Sequence, residues 1–534
     1  MTWRKLSVCA VFLTVVLMKN QLALSVRFHS KPSLRMPRKL KSLRHNFILM
    51  TSRRDILRGS LATLLSFPVR AENSAISVTE MWADAIARLR YEDLSPEVIN
   101  RTKLCLLDNI GVLAHTSTLP ELRSYLDRQF AIGGPAEATV WGYNRKLPLE
   151  IAVACNAFLI HGNEIDDSDF RSNYRASCVS LPAPLTVAEY TKSSGRDLLL
   201  ATAIAYTVNG RLAAQLDRLQ GLGFMPSSVV GGGGTAAATA KLMKLNAEQI
   251  MWAMGLGIAG GGGLFQYYFD QTEEKKLHVA RSARMGVESA QLASKGYEGP
   301  RNIVEGASGL LPSYLRGTGR KPDYEAMKRG FAELEGVRYI YPKFTSTSSS
   351  IGPFLDALAP VYKREKLKPA DIKKFIIVRE WEMNTPFVKK ILNFEPPNTI
   401  VGAQLNMNYA IALFLQRGSA SVYDFTKENL RDKNVLDLAS RVGYEQVAPA
   451  ENFAIKVVLR DGRTISAPFK YSHGEQPEPA MMELREEKFV SLTRDRLTDT
   501  GRQKVKEMVE YLDSVKNIAT WTADIHKLLK PVKS

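Results

Sequence analysis

Ile151-Ala-Val-Ala-Cys-Asn-Ala-Phe-Leu-Ile-His161-Gly-Asn-Glu-Ile-Asp166-Asp167 sets an apolar run directly against four ionisable groups within seven residues. Apolar side chains at Ile151, Ala154, Cys155, Phe158 and Leu159 recur at i, i+3, i+4 spacing. The run therefore reads as a buried helix that delivers His161 to its C-terminal end, with Asp166 and Asp167 on the loop beyond. A carboxylate pair and an imidazole at the mouth of an apolar helix form a candidate general acid/base site. The alternative is purely structural, with His161 capping this helix and Asp166 capping the next segment.

The flanking sequence extends the helical pattern from about residue 75 to 315. Residues 78–89 are amphipathic. Ser95-Pro96-Glu97-Val98 supplies a cap and a first-turn proline for a helix running through Asp108 to Ala114, apolar on most of its circumference and hence central. Residues 185–190 and 197–212 predict a helical hairpin around Lys192-Ser-Ser-Gly195. Gly231 to Gly234 then precede a helix expected to start at Thr235, whose small side chains permit close helix contact. No Gly-Lys-Ser/Thr ending follows, which excludes a phosphate-binding loop. Gly260 to Gly263 end a helix over 247–258 and open a loop expected to reach Lys275-Lys276-Leu277-His278, where glycine either exposes backbone N–H groups to an anion or merely caps the helix.

After about Arg320 the texture changes. Short β-like pieces at 374–378, 454–459 and 464–469, the last two joined by the turn Arg460-Asp461-Gly462-Arg463, alternate with helices at 353–362 and 404–414. This segment reads as a separate α+β domain. Helices at about 483–497 and 501–512 restore the helical texture and are candidates to pack back on the first domain.

The 534 residues are 45% hydrophobic and 24% charged, enough for two substantial cores. The net charge of +18 is carried largely by the first 54 residues, which hold twelve Lys/Arg and no Asp or Glu. Beyond residue 72 the balance is 58 basic against 52 acidic residues, and no basic stripe interleaved with aromatics is present, so a nucleic-acid partner is not indicated. Residues 1–72 read as a leader. Arg53-Arg54-Asp55-Ile-Leu57, a mildly apolar stretch and Ala71 resemble a bacterial twin-arginine export signal over 50–72, with Met50 as an alternative start and 1–49 as a mis-called extension. Export to the periplasm is the expectation, with an organellar transit peptide or a cytoplasmic location as alternatives. The run 6–24, interrupted by Lys19, is too short for a secure membrane span, and no stable span is expected after processing. Cys105, Cys155 and Cys178 show no CxxC spacing, so neither a disulfide framework nor a zinc site is implied, and the first two sit in apolar helical patterns as core residues.

Taken in order, Leu106-Leu107-Asp108-Asn-Ile-Gly111, His161-x4-Asp166-Asp167, Leu181-Pro182-Ala183, Gly223-Phe224, Lys275-Lys-Leu-His278, Gly296-Tyr-Glu-Gly299-Pro300 and Glu305-Gly306-Ala-Ser-Gly309 resemble the MmgE/PrpD family. Tyr341-Pro342, Gln404-Leu-Asn-Met-Asn-Tyr409, Asp461-Gly462 and Lys488-Phe489 continue the resemblance, which spans roughly 75–493. Members of that family include 2-methylcitrate dehydratase and cis-aconitate decarboxylase. The resemblance implies a mainly α fold: a large all-helical domain over 75–320 with 475–534, and a smaller α+β lid domain over 325–472. It also implies a homodimer that uses no metal or cofactor and acts on a small di- or tricarboxylic acid, by proton removal or decarboxylation next to a carboxylate. On this basis His278, Asp167, Asp166 and Lys275 are the expected catalytic residues, and Lys241, Arg175, His161 and Ser177 the expected substrate-binding residues. The structural alternatives are a helix-surface role for Lys241 and a solvated loop pair for Lys275-Lys276 after Glu273-Glu274.

Three histidines of the family pattern are replaced. Arg175-Ala176-Ser177 stands for His-Pro-Ser, Gly223-Phe224-Met225 for Gly-Phe-His, and Ser346 to Ser350 contain no counterpart to the histidine after Tyr-Pro. Arginine clamps a carboxylate bidentately but is no base near neutral pH, and methionine does neither. Tyr174 or Tyr267 is a candidate replacement proton donor. Two functions follow from the sequence: a divergent lyase or isomerase of the family, or a non-catalytic exported homologue that binds a carboxylate or serves only a structural role.

Overall fold

The computed structural model describes residues 77–532, apart from positions 144, 173, 217, 381–385, 448–452 and 470–477. The leader, with its twin-arginine reading, lies outside the described residues. Among the described residues no helix is long and apolar enough to cross a membrane.

The chain builds one large helical body and a smaller α+β body. Helix Val78–Arg88 begins at Ser77, whose Oγ accepts from the Glu80 amide at 3.0 Å. Helix Pro96–Thr116 begins one residue after Ser95, whose Oγ accepts from the Val98 amide at 3.3 Å, and it has the expected proline at its first position. These helices pack with Leu149–Ile160, Gly195–Gln215, Pro226–Leu242, Ala247–Ala259 and Glu274–Ser294 around one continuous apolar core. The closing helices Glu478–Thr493, Asp499–Glu510 and Ile518–Leu528 return to that core, burying Phe489, Val505, Val509 and Trp521 in it. Cys105 and Cys155 are core residues, as their patterns predict.

A second apolar cluster, from Ile351 to Ala467, belongs to the smaller body, whereas Met327 to Ile340 still pack in the first. Its four-stranded sheet runs Gly443–Gln446, Ile372–Arg379, Phe453–Leu459, Thr464–Phe469 in spatial order, the first pair parallel and the others antiparallel. Gly462 at φ +91° makes the hairpin turn. Helices Gly352–Arg364 and Met407–Arg417 supply residues of the same cluster. A short antiparallel pair, Ser168–Asp169 with Ile340–Tyr341, ties the segment after Asp167 to the approach to the second body.

Three local expectations are corrected. The glycines at 231–234 do not precede a helix; they lie inside Pro226–Leu242, which starts at Pro226. Tertiary packing overrides their poor propensity. A Cβ on Gly231 would lie 2.6 Å from Val179 Cβ, and one on Gly234 2.5 Å from the Ala205 carbonyl oxygen, so only glycine lets these backbones approach. Lys275 to His278 lie in the first turns of helix Glu274–Ser294, not on a loop. The helix expected over 404–414 is two helices, Ile400–Leu405 and Met407–Arg417, because Asn406 leaves helical geometry and its side chain accepts from the Tyr409 amide at 3.0 Å.

Gly234→Ala is expected to destabilise the protein by about 2–3 kcal/mol, because the Ala205 carbonyl and the hydrogen-bonded Asn209 side chain both oppose the added methyl. Gly262→Ala, where a Cβ meets nothing within 4 Å, is expected to stay within about 0.5 kcal/mol. Urea midpoints of the two variants against the parent check the pair.

Candidate active site

Helix Leu149–Ile160 is apolar almost throughout and ends at His161, so the polar segment that follows is delivered into the interior. His161, Glu164, Asp166 and Asp167 are each no more than 2% exposed. Charges so placed persist only with partners.

Glu164 and Asp166 find theirs on distant parts of the chain. Glu164 adopts φ +49°, an uncommon conformation for a residue with a side chain. One carboxylate oxygen lies against the Lys275 ammonium and the other is 3.2 Å from Lys343 Nζ. Asp166 accepts from His161 Nδ1 at 2.8 Å and lies 3.5 Å from Lys343 Nζ. Burial opposes the charge on Asp166, but His161 and Lys343 hold it below the usual carboxylate range. Burial, then the nearby Lys275 ammonium, pushes His161 down to about 3 despite Asp166. A neutral ring whose Nδ1 hydrogen goes to Asp166 leaves Nε2 as a lone pair. That Nε2 is buried without a hydrogen-bond partner, and His161 lines a cavity of about 30 Å³ together with Glu164, Arg175, Met225, Lys275 and Ser348. Burial lowers Lys343 to about 8, with Asp166 opposing. Burial and the neighbouring Lys343 and Lys276 depress Lys275 well below its ordinary value, and its amine lies against the Glu164 carboxylate.

Asp167 points elsewhere. Its carboxylate accepts from the Ser177 amide at 2.8 Å and from the Ser177 hydroxyl, with Tyr206 Oη 3.4 Å away. Behind it the Asp108–Lys488 ion pair closes at 2.7 Å. Burial raises Asp167 to about 7, with the Ser177 hydrogen bonds acting against the rise. The two adjacent acids therefore do different things: Asp166 is a charged partner of an imidazole at the cavity, and Asp167 a hydrogen-bonded acid within the body.

Of the eight residues singled out in the sequence, His161, Arg175 and Lys275 line the cavity, and Asp166 touches it through His161. The Arg175 amide donates to Ser227 Oγ at 2.9 Å, and its guanidinium to Ser348 Oγ at 3.3 Å. Ser177 is buried, bonded to Asp167 and, at 2.8 Å, to Asn109 Nδ2, so it does not reach the cavity. Lys241 is not there either. Its ammonium donates to the Ile86 and Ala87 carbonyls at 2.8 and 3.0 Å, satisfying the end of helix Val78–Arg88. His278 lies one turn beyond Lys275 but lines a neighbouring cavity of about 400 Å³ with Gly260, Gly263, Ser228 and Arg281. Its ring is 6.2 Å from that of Tyr267, which lines the first cavity. Tyr174 is buried, with its hydroxyl 2.6 Å from Ser180 Oγ.

Glu164 and Lys343 are the residues that sequence reasoning left without roles. Glu164 sits within the quoted stretch, and Lys343 immediately follows Tyr341-Pro342.

His161, Asp166 and Cys178 bring donor atoms within 4.8 Å of one another. They do not suit a divalent cation. Asp166 already serves His161 and Lys343, the thiol is pushed far up by burial, and Lys275, Lys343 and Arg175 supply positive charge around the site.

Residues 80–323 match the MmgE/PrpD N-terminal domain and residues 347–514 the MmgE/PrpD C-terminal domain. Similar proteins include the cis-aconitate decarboxylase of Homo sapiens, 27% identical over 471 residues, covering 84% of this chain and 94% of that protein. The cis-aconitate decarboxylase of Aspergillus terreus is 24% identical over 488 residues, covering 86% of this chain and 98% of the relative. A cis-aconitate decarboxylase-like protein of Aspergillus oryzae is 28% identical over 262 residues, 47% of this chain and 54% of that protein.

An acid whose pKa is higher folded than unfolded stabilises the fold fully below its unfolded pKa of 3.8 and progressively less as pH rises through about 7. Asp167→Asn removes that dependence. Its stability relative to the parent is expected to rise by at most about 4 kcal/mol between acid and mildly alkaline pH. Paired urea titrations across that range check the difference, in which groups common to both proteins cancel.

Proposed function

The chain belongs to the MmgE/PrpD family, and on that premise we propose that it is a lyase acting on a small polycarboxylate, with decarboxylation of an unsaturated tricarboxylate of the cis-aconitate kind as its reaction. The observation that carries this reading is one cavity lined by Arg175, Lys275, a neutral imidazole and the Glu164 carboxylate, with Lys343 and Asp166 paired directly behind that lining. Loss of carbon dioxide leaves an electron pair on carbon that spreads into the conjugated double bond and carboxylate. Fixed positive charge stabilises that developing anion.

One proton must then be added to carbon. Lys343, held behind the lining by Glu164 and lowered to about 8, is a cation at neutral pH with an accessible conjugate base, which suits a proton donor to a substrate that takes the place of Glu164. After giving its proton to carbon it is reprotonated from solvent. Arg175 and Lys275 hold the remaining carboxylates. His161 is fixed by Asp166 through Nδ1 and turns an unpartnered Nε2 to the cavity. The names of the relatives support this chemistry over dehydration.

A second reading, carboxylate binding without turnover, draws support from Met225, which lines the cavity where the family pattern has a histidine.

Incubating the protein with cis-aconitate and related acids in heavy water, followed by NMR, separates the two readings. Decarboxylation is expected to place one deuterium on carbon in the product. Binding without product, or deuterium exchange without loss of carbon dioxide, would refute the decarboxylase reading. Lys343→Met is expected to lower kcat/KM by about 10²–10⁴-fold. In the parent, kcat/KM is expected to fall as pH rises through about 8, where Lys343 loses its proton.

A further inference from the structure

Glu164 is the charged residue of the cavity that the proposed reaction does not use. It is 2% exposed, it stands at φ +49°, and its two carboxylate oxygens engage Lys275 and Lys343. We propose that Glu164 is an internal carboxylate that occupies the seat of a substrate carboxylate between those two lysines, so that substrate binds by exchange with it. The inference rests on the polycarboxylate reading of this same cavity.

Three observations carry it. The first is size. A cavity of about 30 Å³ holds about two water molecules, too little for the carbon skeleton of a tricarboxylate, so a lining group must move. The second is chemistry. Glu164 presents to the lysines the functional group that a substrate would present, in the ion-pair distance range. The third is where its backbone sits. A left-handed conformation is unfavourable for a residue bearing a side chain, and here it directs a carboxylate onto two cations, neither of which is near in sequence.

Once its lysines are taken, the displaced carboxylate remains in the interior. The groups facing it are Lys275 from helix Glu274–Ser294, Lys343 from the segment after Ile340–Tyr341, and His161 and Asp166 from its own segment, with Arg175 on the cavity wall. Adding a substrate carboxylate places three anions among these cations, and a buried acid without its partner takes a proton from solvent. Binding is therefore coupled to proton uptake.

Calorimetry of the full chain with tricarballylate, a saturated tricarboxylate, near neutral pH in buffers of different ionisation enthalpy reads this coupling. The parent is expected to take up about one proton per ligand bound. Glu164→Gln is expected to lose that uptake and to bind roughly tenfold more tightly or better, because no charged group then competes for the lysines. Glu164→Asp retains the charge on a shorter side chain, and it too is expected to bind more tightly than the parent. Circular dichroism establishes that each variant is folded. Binding to the parent with no proton uptake, and no tightening in either folded variant, would make Glu164 a fixed counter-ion and overturn the exchange while leaving the polycarboxylate reading standing. If neither parent nor variants bind tricarballylate or cis-aconitate, both fall together.

Discussion

The structure depends on a group of charges sunk where two apolar bodies meet. Glu164, Asp166, Lys275 and Lys343 are all no more than 2% exposed. None is affordable alone, since removing one member of a buried pair leaves an uncompensated charge at a cost of about 3–5 kcal/mol. They come from three separated stretches, so satisfying them fixes the loop after helix Leu149–Ile160 against helix Glu274–Ser294 and against the segment leading to the second body. Uncharged bonds reinforce the same junction. Ser346 Oγ donates to the Asn163 carbonyl at 2.6 Å, Gln404 Nε2 donates to Ser346 Oγ at 2.9 Å, and Asn163 meets His115 at 3.1 Å.

This arrangement explains which parts of the molecule were legible in sequence. The helix ending at His161 was legible because an unbroken apolar run meets polar residues at a point, and the start of Pro96–Thr116 because Ser95 and Pro96 act through neighbours only three residues away. The alternation in 454–459 and 464–469 with a glycine turn between gave the hairpin for the same reason. Such signals are local. The role of Glu164 is not legible in the same way, because its partners are 111 and 179 positions away and no periodicity reports them. The glycine run was misplaced because its cause is the surface of neighbouring helices rather than its own preference.

The site residues divide along the same line. The motifs that carry the family resemblance located His161, Asp166, Arg175 and Lys275 at or beside one cavity. They did not say which way a side chain turns. Lys241 lies on a helix end where two unsatisfied carbonyls of another helix compete successfully for its ammonium. Asp166 and Asp167 are adjacent in the chain yet face opposite sets of partners, and Ser177 follows Asp167 into the body rather than toward the cavity. Sequence named the chemistry available, and packing selected which groups share a space.

Arg175 and Met225, where the resemblance implies histidines, shift the balance from moving protons to holding charge. Dehydration requires one proton to leave carbon and another to reach the departing hydroxyl, whereas decarboxylation requires only that one proton arrive. Arg175 does not release its proton near neutral pH and Met225 has none to give, which fits the proposed decarboxylation better than dehydration. Arg175 also adds a permanent cation to a wall that already holds Lys275, with Lys343 behind it. An empty cavity with that much positive charge and no anion would be strained by repulsion and by lost solvation. The more fixed positive charge a buried site assembles, the stronger its need for an internal carboxylate, and Glu164 supplies one by pairing with both Lys275 and Lys343.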